Sequence, residues 1–368
     1  MERVKLKDIL LIKTGKYDAN HASEDGAYTF YTCAIKPLKA NTYSFDDEVI
    51  ILPGNGANVG EVLYFNGKLE AYQRTYVLHN IQAEVKYVFY MLKTYWKRHT
   101  LNKEVGSATN YIKLGHIQDF EIPLPPLPKQ KSIAQKLDFA RSLIELRKES
   151  IGKLDDLAKS VFVEMFGDPV ENEMGWEVDK LENFCDFENG DRSSKYPSAD
   201  DLVEDGIIFL SSREIVDFRF KPSNSSFITE KKYNQLSQGH CQTGDVLMTL
   251  RGNGRGKCCV FEGNYNIGFI NAQMVILRFH THMINTFFIE LIRNERMFIK
   301  LLRIGSGSAQ PQITGASLKA ISLIIPPLPL QNKFAQTIQK IEAQKALYEA
   351  ELVKLEENFE GLLQASFT

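Results

Sequence analysis

Apolar positions between 133 and 165 fall on a single seam. Ile133, Leu137, Ala140, Ile144, Ile151, Leu154, Ala158, Val161 and Met165 keep the alternating steps of four and three, with Arg147 as the one polar intruder. Such a seven-residue period lays an apolar stripe along an α-helix. The same phase returns near the C-terminus in Phe334, Ile338, Ile341, Tyr348, Leu352, Leu355, Phe359 and Leu362, with Lys345 as the intruder. No proline interrupts either run, and Gly152 is a single weak point costing about 1 kcal/mol. The pattern predicts two helices of about 37 residues, each about 55 Å long at 1.5 Å per residue. Their like-phased stripes are expected to pair as a coiled coil.

The text before each seam is also repeated. "IPLPPLPKQKSIAQKL" (122–137) precedes the first and "LIIPPLPLQNKFAQTI" (323–338) the second, so Pro125 and Pro326 lie 201 residues apart. At that same offset "GSATNYI" (106–112) lies over "GSAQPQI" (307–313). Further upstream "DEVIILPGNG" (47–56) resembles "DVLMTLRGNG" (245–254), and Leu6 and Gly15 lie over Leu181 and Gly190. Ordered matches at nearly constant offset mark a tandem duplication, 1–168 followed by 169–368.

Each half opens with a mixed region. Short apolar runs such as "EVIIL", "EVLYF", "VLMTL" and "KCCVF" are broken by Gly, Asn and Asp and read as strands and hairpins. A helical stretch follows, "VKYVFYMLKTYWKRHTL" or "INTFFIELIRNERMFIKLL". The domains are expected at 1–128 and 169–329, with spacer helices at 129–168 and 330–368. The second mixed domain begins where the first seam helix ends and finishes where the second starts, so paired helices must run antiparallel. The expected fold is α+β: two similar mixed α/β heads joined by two long antiparallel helices, with pseudo-two-fold symmetry.

Composition narrows the class. Apolar residues make up 43% and charged residues 24%, the formal net charge is −2, and no apolar run reaches 18 residues. The start "MERVKLKDIL" does not read as a signal peptide. Five cysteines form no C-x-x-C pair. A reducing, cytoplasmic setting is expected, with no membrane association, disulfide framework or zinc site. Catalytic constellations are missing from the letters. There is no Asn/Asp-Pro-Pro-Tyr stretch of a methyltransferase, no Pro-Asp pair of the common nuclease type and no G-x-S-x-G. "RGNGRGK" (251–257) has Arg251 and Cys258 where a phosphate loop needs Gly and Ser/Thr, so an Asn-Gly hairpin turn is the better reading. His280 and His282 lack a partner ligand at useful spacing and read as surface strand. No catalytic residue and no metal site is expected.

Two variable mixed domains, each closed by a "PLPPLPKQKSIAQKL"-type segment and a long helix, resemble the specificity subunit of type I restriction-modification systems. "LAKSVFVEMFGDP" (157–169) is similar to that family's central region. The resemblance implies that each head is a target-recognition domain reading one half of a bipartite site in double-stranded DNA. It implies that the helices set the half-site separation and dock methyltransferase subunits, two of them, with restriction/translocase subunits beyond. It places S-adenosylmethionine and ATP in those partners and no cofactor or catalysis in this chain.

Base edges are read by Arg, Lys, Asn, Gln and Ser/Thr, and phosphates attract Lys and Arg. Candidates in the second head are Arg251, Asn253, Arg255 and Lys257, with Asn55 and Asn58 at the matching turn of the first. "AYQRTY" holds Tyr72, Gln73 and Arg74, and its mate "NAQ" holds Asn271 and Gln273. Before the proline stop stand Ser107, Thr109, Asn110, Tyr111 and Lys113, against Ser308, Gln310 and Gln312. The charge is a difficulty. Residues 1–128 carry 15 basic and 14 acidic groups, and residues 169–329 carry 17 and 19. Binding through phosphate neutralisation calls for an excess of cations. Either cations are focused on one face, or partner subunits grip the backbone. A coiled-coil adaptor whose heads bind proteins is the rival reading.

Overall fold

The computed structural model describes residues 3–101, 110–252, 254–280, 282–304 and 312–367. They form two compact units, residues 1–149 with 349–368, and residues 150–348. Each unit holds one head and a stretch of both long helices, which span Leu127–Phe166 and Leu328–Phe367.

The first head is built on a six-stranded sheet in the order Leu11–Thr14, Thr75–His79, Phe45–Pro53, Leu63–Ala71, Tyr28–Tyr31, Leu38–Ala40. Only Tyr28–Tyr31 against Leu63–Ala71 is parallel. "EVIIL" forms the central strand because Val49, Ile50, Ile51 and Leu52 are buried on both faces. Helix Val85–Leu101 covers one face, and Val88, Leu92 and Trp96 share a core with Ile50, Leu52 and Leu78.

The second head carries a four-stranded sheet, Cys185–Asn189, Met274–Phe279, Val246–Thr249, Cys258–Val260, and a five-stranded one, Leu202–Val203, Ser226–Ile228, Ile207–Leu210, Ile267–Ile270, His240–Gln242. The parallel pair recurs between Ile207–Leu210 and Ile267–Ile270. The expected single helix over 284–302 is two, Asn285–Arg293 and Glu295–Arg303. Asn294 divides them, its side chain accepting from Arg296 N and Met297 N as an N-cap.

Both heads close in the same register. Lys5 pairs with Glu121 across the short sheet of the first unit, and Lys180 with Ser322 in the second. These are the offsets of 175 and 201 seen in the sequence. Gly15 and Gly190 also have one cause. A Cβ on Gly15 would sit 1.6 Å from Ala71 O, and one on Gly190 2.1 Å from Asn271 O.

The repeated proline segment is a clamp. Gln130 and Gln331 are fully buried. Gln130 Nε2 donates to Pro125 O (2.7 Å), and its Oε1 accepts from Glu84 N (2.9 Å) at the start of helix Val85–Leu101. Gln331 repeats this with Pro326 O (2.7 Å) and Ile284 N (3.0 Å), and adds His282 O (3.1 Å). One glutamine thus satisfies a proline carbonyl and an open helix N-terminus at once.

Within each unit the long helices run antiparallel. In the first, Arg147 bonds Glu351 (2.8 Å), while Leu137 shares a core with Leu363 and Phe367. In the second, Lys345 pairs with Asp155, and Phe166 stacks edge-on to Phe334 (5.1 Å). The buried set departs from the predicted seam at the ends. Phe162 and Phe166 are buried where Val161 and Met165 were expected, and Leu363 where Leu362 was. A helix of 3.6 residues per turn drifts about 20° per heptad from a strict seven-residue repeat. At these ends the helix also faces a head core. Among the described residues, no helix is long and apolar enough to cross a membrane.

Candidate nucleic-acid interface

In the first head, residues 54–62 leave strand Phe45–Pro53 as a loop rather than the two-residue Asn-Gly turn expected. Gly54 N donates to Arg74 O, Ile112 N to Gly54 O and Gly56 N to Asn110 O, all at 2.9 Å. Asn55 bridges Tyr111. A Cβ on Gly54 would lie 2.2 Å from Arg74 O, so the backbone of the first head, as folded, leaves no room for a side chain at this position. The loop is therefore held between the turn at 72–75, closed by Thr75 N to Tyr72 O (2.8 Å), and the segment at 110–112. Tyr72 N reaches Tyr31 O and Gln73 N reaches Tyr17 O, both at 2.9 Å.

The second head repeats the frame with other side chains. Leu250 N donates to Gln273 O (2.8 Å), Ile313 N to Leu250 O (3.0 Å), Met274 N to Asn271 O (3.1 Å) and Asn271 N to Leu210 O (2.8 Å). Leu250 thus takes the place of Gly54. Gly56 (φ 85°) and Gly60 (φ 96°) match Gly252 (φ 79°) and Gly256 (φ 83°). A Cβ on Gly60 would meet Lys97 and Thr100, and one on Gly256 Phe298 and Leu301, which are repeat mates. The echo of "GNG" in the sequence is consequently misaligned by two residues. Asn55 stands opposite Arg251, not Asn253, and Asn58 opposite Gly254.

Asn55, Arg74, Asn110 and Tyr111 come together on one edge. Lys113 lies beyond, its Nζ 6.0 Å from the centre of the Tyr111 ring. Arg251, Gln273 and Gln312 make the corresponding edge of the second unit. Arg74, Asn110, Tyr111, Arg251 and Gln273 are exposed, and Asn55 is half-buried. Two candidates are instead spent on the frame. Asn58 Nδ2 donates to Cys33 O (2.8 Å), and Asn271 Oδ1 accepts from Gln273 N (3.0 Å). Arg255 and Lys257 are half-buried, and Arg255 Nη1 has no hydrogen-bond partner among the described residues. Ser107, Thr109, Asn253, Ser308 and Gln310 lie outside the described residues.

Sequence reasoning missed the segments after the parallel strands, Thr32–Ala34 and Ser211–Arg213. A Cβ on Gly254 would sit 2.9 Å from Ser212 Cβ, which puts exposed Arg213 beside the loop. Nothing in the letters of these two segments echoes, so only the strand pairing finds them.

The charge difficulty eases at this edge. Glu188, Asp191, Glu214 and Asp245 of the second head are engaged within the fold. Glu214 accepts from Ser211 N (2.7 Å), and Arg278 is held by Glu188 (2.6 Å) and Asp245 (3.0 Å). Burial works against ionising Asp191. Hydrogen bonds from Ser193 and Ser237 nevertheless hold its carboxyl well below the usual range. Arg192, Arg213 and Arg251 remain exposed, Arg192 anchored on Ala272 O (3.0 Å). Among the described residues, no cluster of His, Cys, Asp and Glu is arranged to hold a metal ion.

A family model described as "Type I restriction modification DNA specificity domain" matches residues 1–155 and 173–357, once in each half. The chain is 35% identical over 156 residues to the Type I restriction enzyme EcoDI specificity subunit of Escherichia coli, covering 42% of this chain and 34% of that protein. It is 25% identical over 313 residues to the MjaVIII specificity subunit of Methanocaldococcus jannaschii, covering 80% and 72%. In fold it is similar to a type I restriction-modification S subunit from M. genitalium, with a TM-score of 0.65 at 15% identity, covering 100% of this chain and 96% of that one.

Proposed function

The chain belongs to the type I restriction-modification DNA specificity family, and we propose that it reads a bipartite, asymmetric duplex target, one half-site per head. One observation carries the proposal. Each head presents the same hydrogen-bonded frame of loop, turn and pre-proline segment, yet different side chains stand at its equivalent positions: exposed Arg74 against exposed Gln273, and half-buried Asn55 against exposed Arg251. A shared frame fixes how duplex is approached. Unlike side chains on that frame demand unlike bases.

In this reading the chain is the non-catalytic subunit. It directs methyltransferase subunits, two of them, and restriction/translocase subunits to the site, and S-adenosylmethionine and ATP are bound by those partners. The helix pair is the spacer between half-sites. The exposed cations position the edge on phosphates, while partner subunits supply most of the backbone grip, consistent with the near-neutral heads.

The test is selection from a randomised duplex library by the full chain, with and without a type I methyltransferase partner. Two short, different half-sites at one fixed separation are expected. Recovery of no sequence preference under either condition would favour a protein-binding adaptor instead.

A further inference from the structure

The structural equivalence of Asn55 and Arg251 says more than that the heads differ. Both follow the residue whose N–H bonds the turn carbonyl and whose carbonyl receives the pre-proline segment, Gly54 in one head and Leu250 in the other. Both precede a glycine with φ near +80°, Gly56 or Gly252. Each therefore leaves the frame from the same backbone position. Neither side chain makes a hydrogen bond within the protein among the described residues, whereas Asn58 and Asn271 nearby are committed to the frame. Asn55 has a carbonyl and an amide side by side. Arg251 has two parallel N–H groups and no acceptor.

We propose that Asn55 and Arg251 occupy one base-reading position in the two heads, with Asn55 reading adenine in the first half-site and Arg251 reading guanine in the second. The donor–acceptor pair of an Asn amide fits adenine N6 and N7 in the major groove. The paired donors of a guanidinium fit guanine O6 and N7. The inference rests on the reading of the heads as DNA readers and assigns the base chemistry of that same site. It also separates these two positions from Lys113 and Arg213, whose exposed cationic ends suit phosphate without a required fit to one base.

The experiment repeats the library selection with the full chain carrying Asn55→Arg, and separately Arg251→Asn, in complex with the methyltransferase partner. Asn55→Arg is expected to convert one adenine of the first half-site to guanine, by about tenfold or more in relative recovery, leaving the second half-site as in the wild type. Arg251→Asn is expected to do the reverse in the second half-site. Asn55→Ala should erase preference at that one position only, and an unchanged thermal midpoint would certify its fold. Unchanged base preferences in Asn55→Arg, or weakening spread evenly over all sequences, would overturn the assignment while leaving two-head reading intact. A wild type that selects no sequence would instead overturn the reading of the heads itself.

Discussion

At the loop, turn and pre-proline segment the two heads satisfy equivalent backbone groups in the same way while carrying different side chains. Gln130 and Gln331 make the same clamp, and Gly15 and Gly190 allow the same close approach. The loops then carry Asn55 or Arg251 on matching backbone. Buried polar groups tolerate few solutions, because an unpaired one costs about 1–3 kcal/mol. An exposed loop residue carries no such cost. Duplication has therefore preserved the frame and left the side chains of the loop edge free to diverge.

The sharpest way to break this comparison is to remove one head. The first unit is closed by the far end of the second long helix, where Phe367 packs on Tyr87 with ring centres 5.5 Å apart. The second is closed by the far end of the first, where Phe166 packs on Phe287 at 4.8 Å. Phe166 and Phe367 are repeat mates. A fragment of residues 1–168 keeps Tyr87 and loses Phe367, but a second copy brings Phe166 to the same place. The fragment is expected to sediment as a homodimer and, with the methyltransferase partner, to select a palindrome of two first half-sites. A folded monomer would show that the helix ends are not interchangeable.

The two polar intruders on the seam come next. Lys345 has only 4% of its side chain exposed and pairs with Asp155, which also holds Arg293 at 3.2 Å. Arg147 is 27% exposed against Glu351. Asp155→Asn leaves the buried Lys345 ammonium, beside the Arg293 guanidinium, with Asp217 at 3.8 Å as its remaining carboxylate, and should cost up to about 3–5 kcal/mol. Arg147→Met should cost less than about 1 kcal/mol. Burial alone would raise the pKa of Asp155, but Lys345 and Arg293 hold it below the ordinary value. A depressed carboxyl stabilises the fold at pH above its unfolded pKa near 3.8, and that contribution disappears as pH falls through the folded pKa. Denaturation curves of wild type and Asp155→Asn should therefore converge only in strong acid.

These residues also mark what the sequence discloses. Both intruders and the long helices were visible because a seven-residue period makes an exception stand out, and the duplication because ordered motifs recur at a nearly constant offset. The rest of the charge cluster was not, since Asp217, the second acceptor of Lys345, and Arg293, the second cation on Asp155, arrive from a loop and a helix end with no periodic signature. The edge formed by loop, turn and pre-proline segment was half legible. Turn residues at 72–74 and 271–273 aligned correctly, as the bonds Thr75 N to Tyr72 O and Met274 N to Asn271 O demonstrate. The neighbouring loop was misread because identical letters, "GNG", outweighed a two-residue shift that only hydrogen bonding reveals. Arg213 reaches the edge through a parallel strand pairing, which no local pattern encodes.

The glutamine clamp gives a smaller effect. Gln331→Ala leaves Ile284 N and the carbonyls of Pro326 and His282 without their partner. A loss of about 1–3 kcal/mol is expected, read as a shift in the denaturation midpoint of the full chain. Gln130→Ala should lose a similar or slightly smaller amount, having one carbonyl fewer. A much larger loss from Gln130→Ala would contradict a shared clamp.

The smallest effect lies on the helices themselves. Gly152 sits exposed within the first long helix, where a Cβ would meet nothing within 4 Å. Its repeat mate on the second helix is Val353, also exposed. Glycine costs about 0.5–1 kcal/mol against alanine in a helix interior, because the unfolded chain has more backbone freedom to lose. Gly152→Ala should therefore raise stability by up to about 1 kcal/mol, or about 2–4 °C in Tm for a unit of this size. Gly152→Val should gain less, since a β-branched side chain gives up rotamer freedom on a helix. The half-sites and their separation should stay as in the wild type for both variants, because neither alters the loops or the helix length. If Gly152→Ala instead lowers Tm, the glycine is serving a bend or a docked partner, and the two helices are not equivalent at this position.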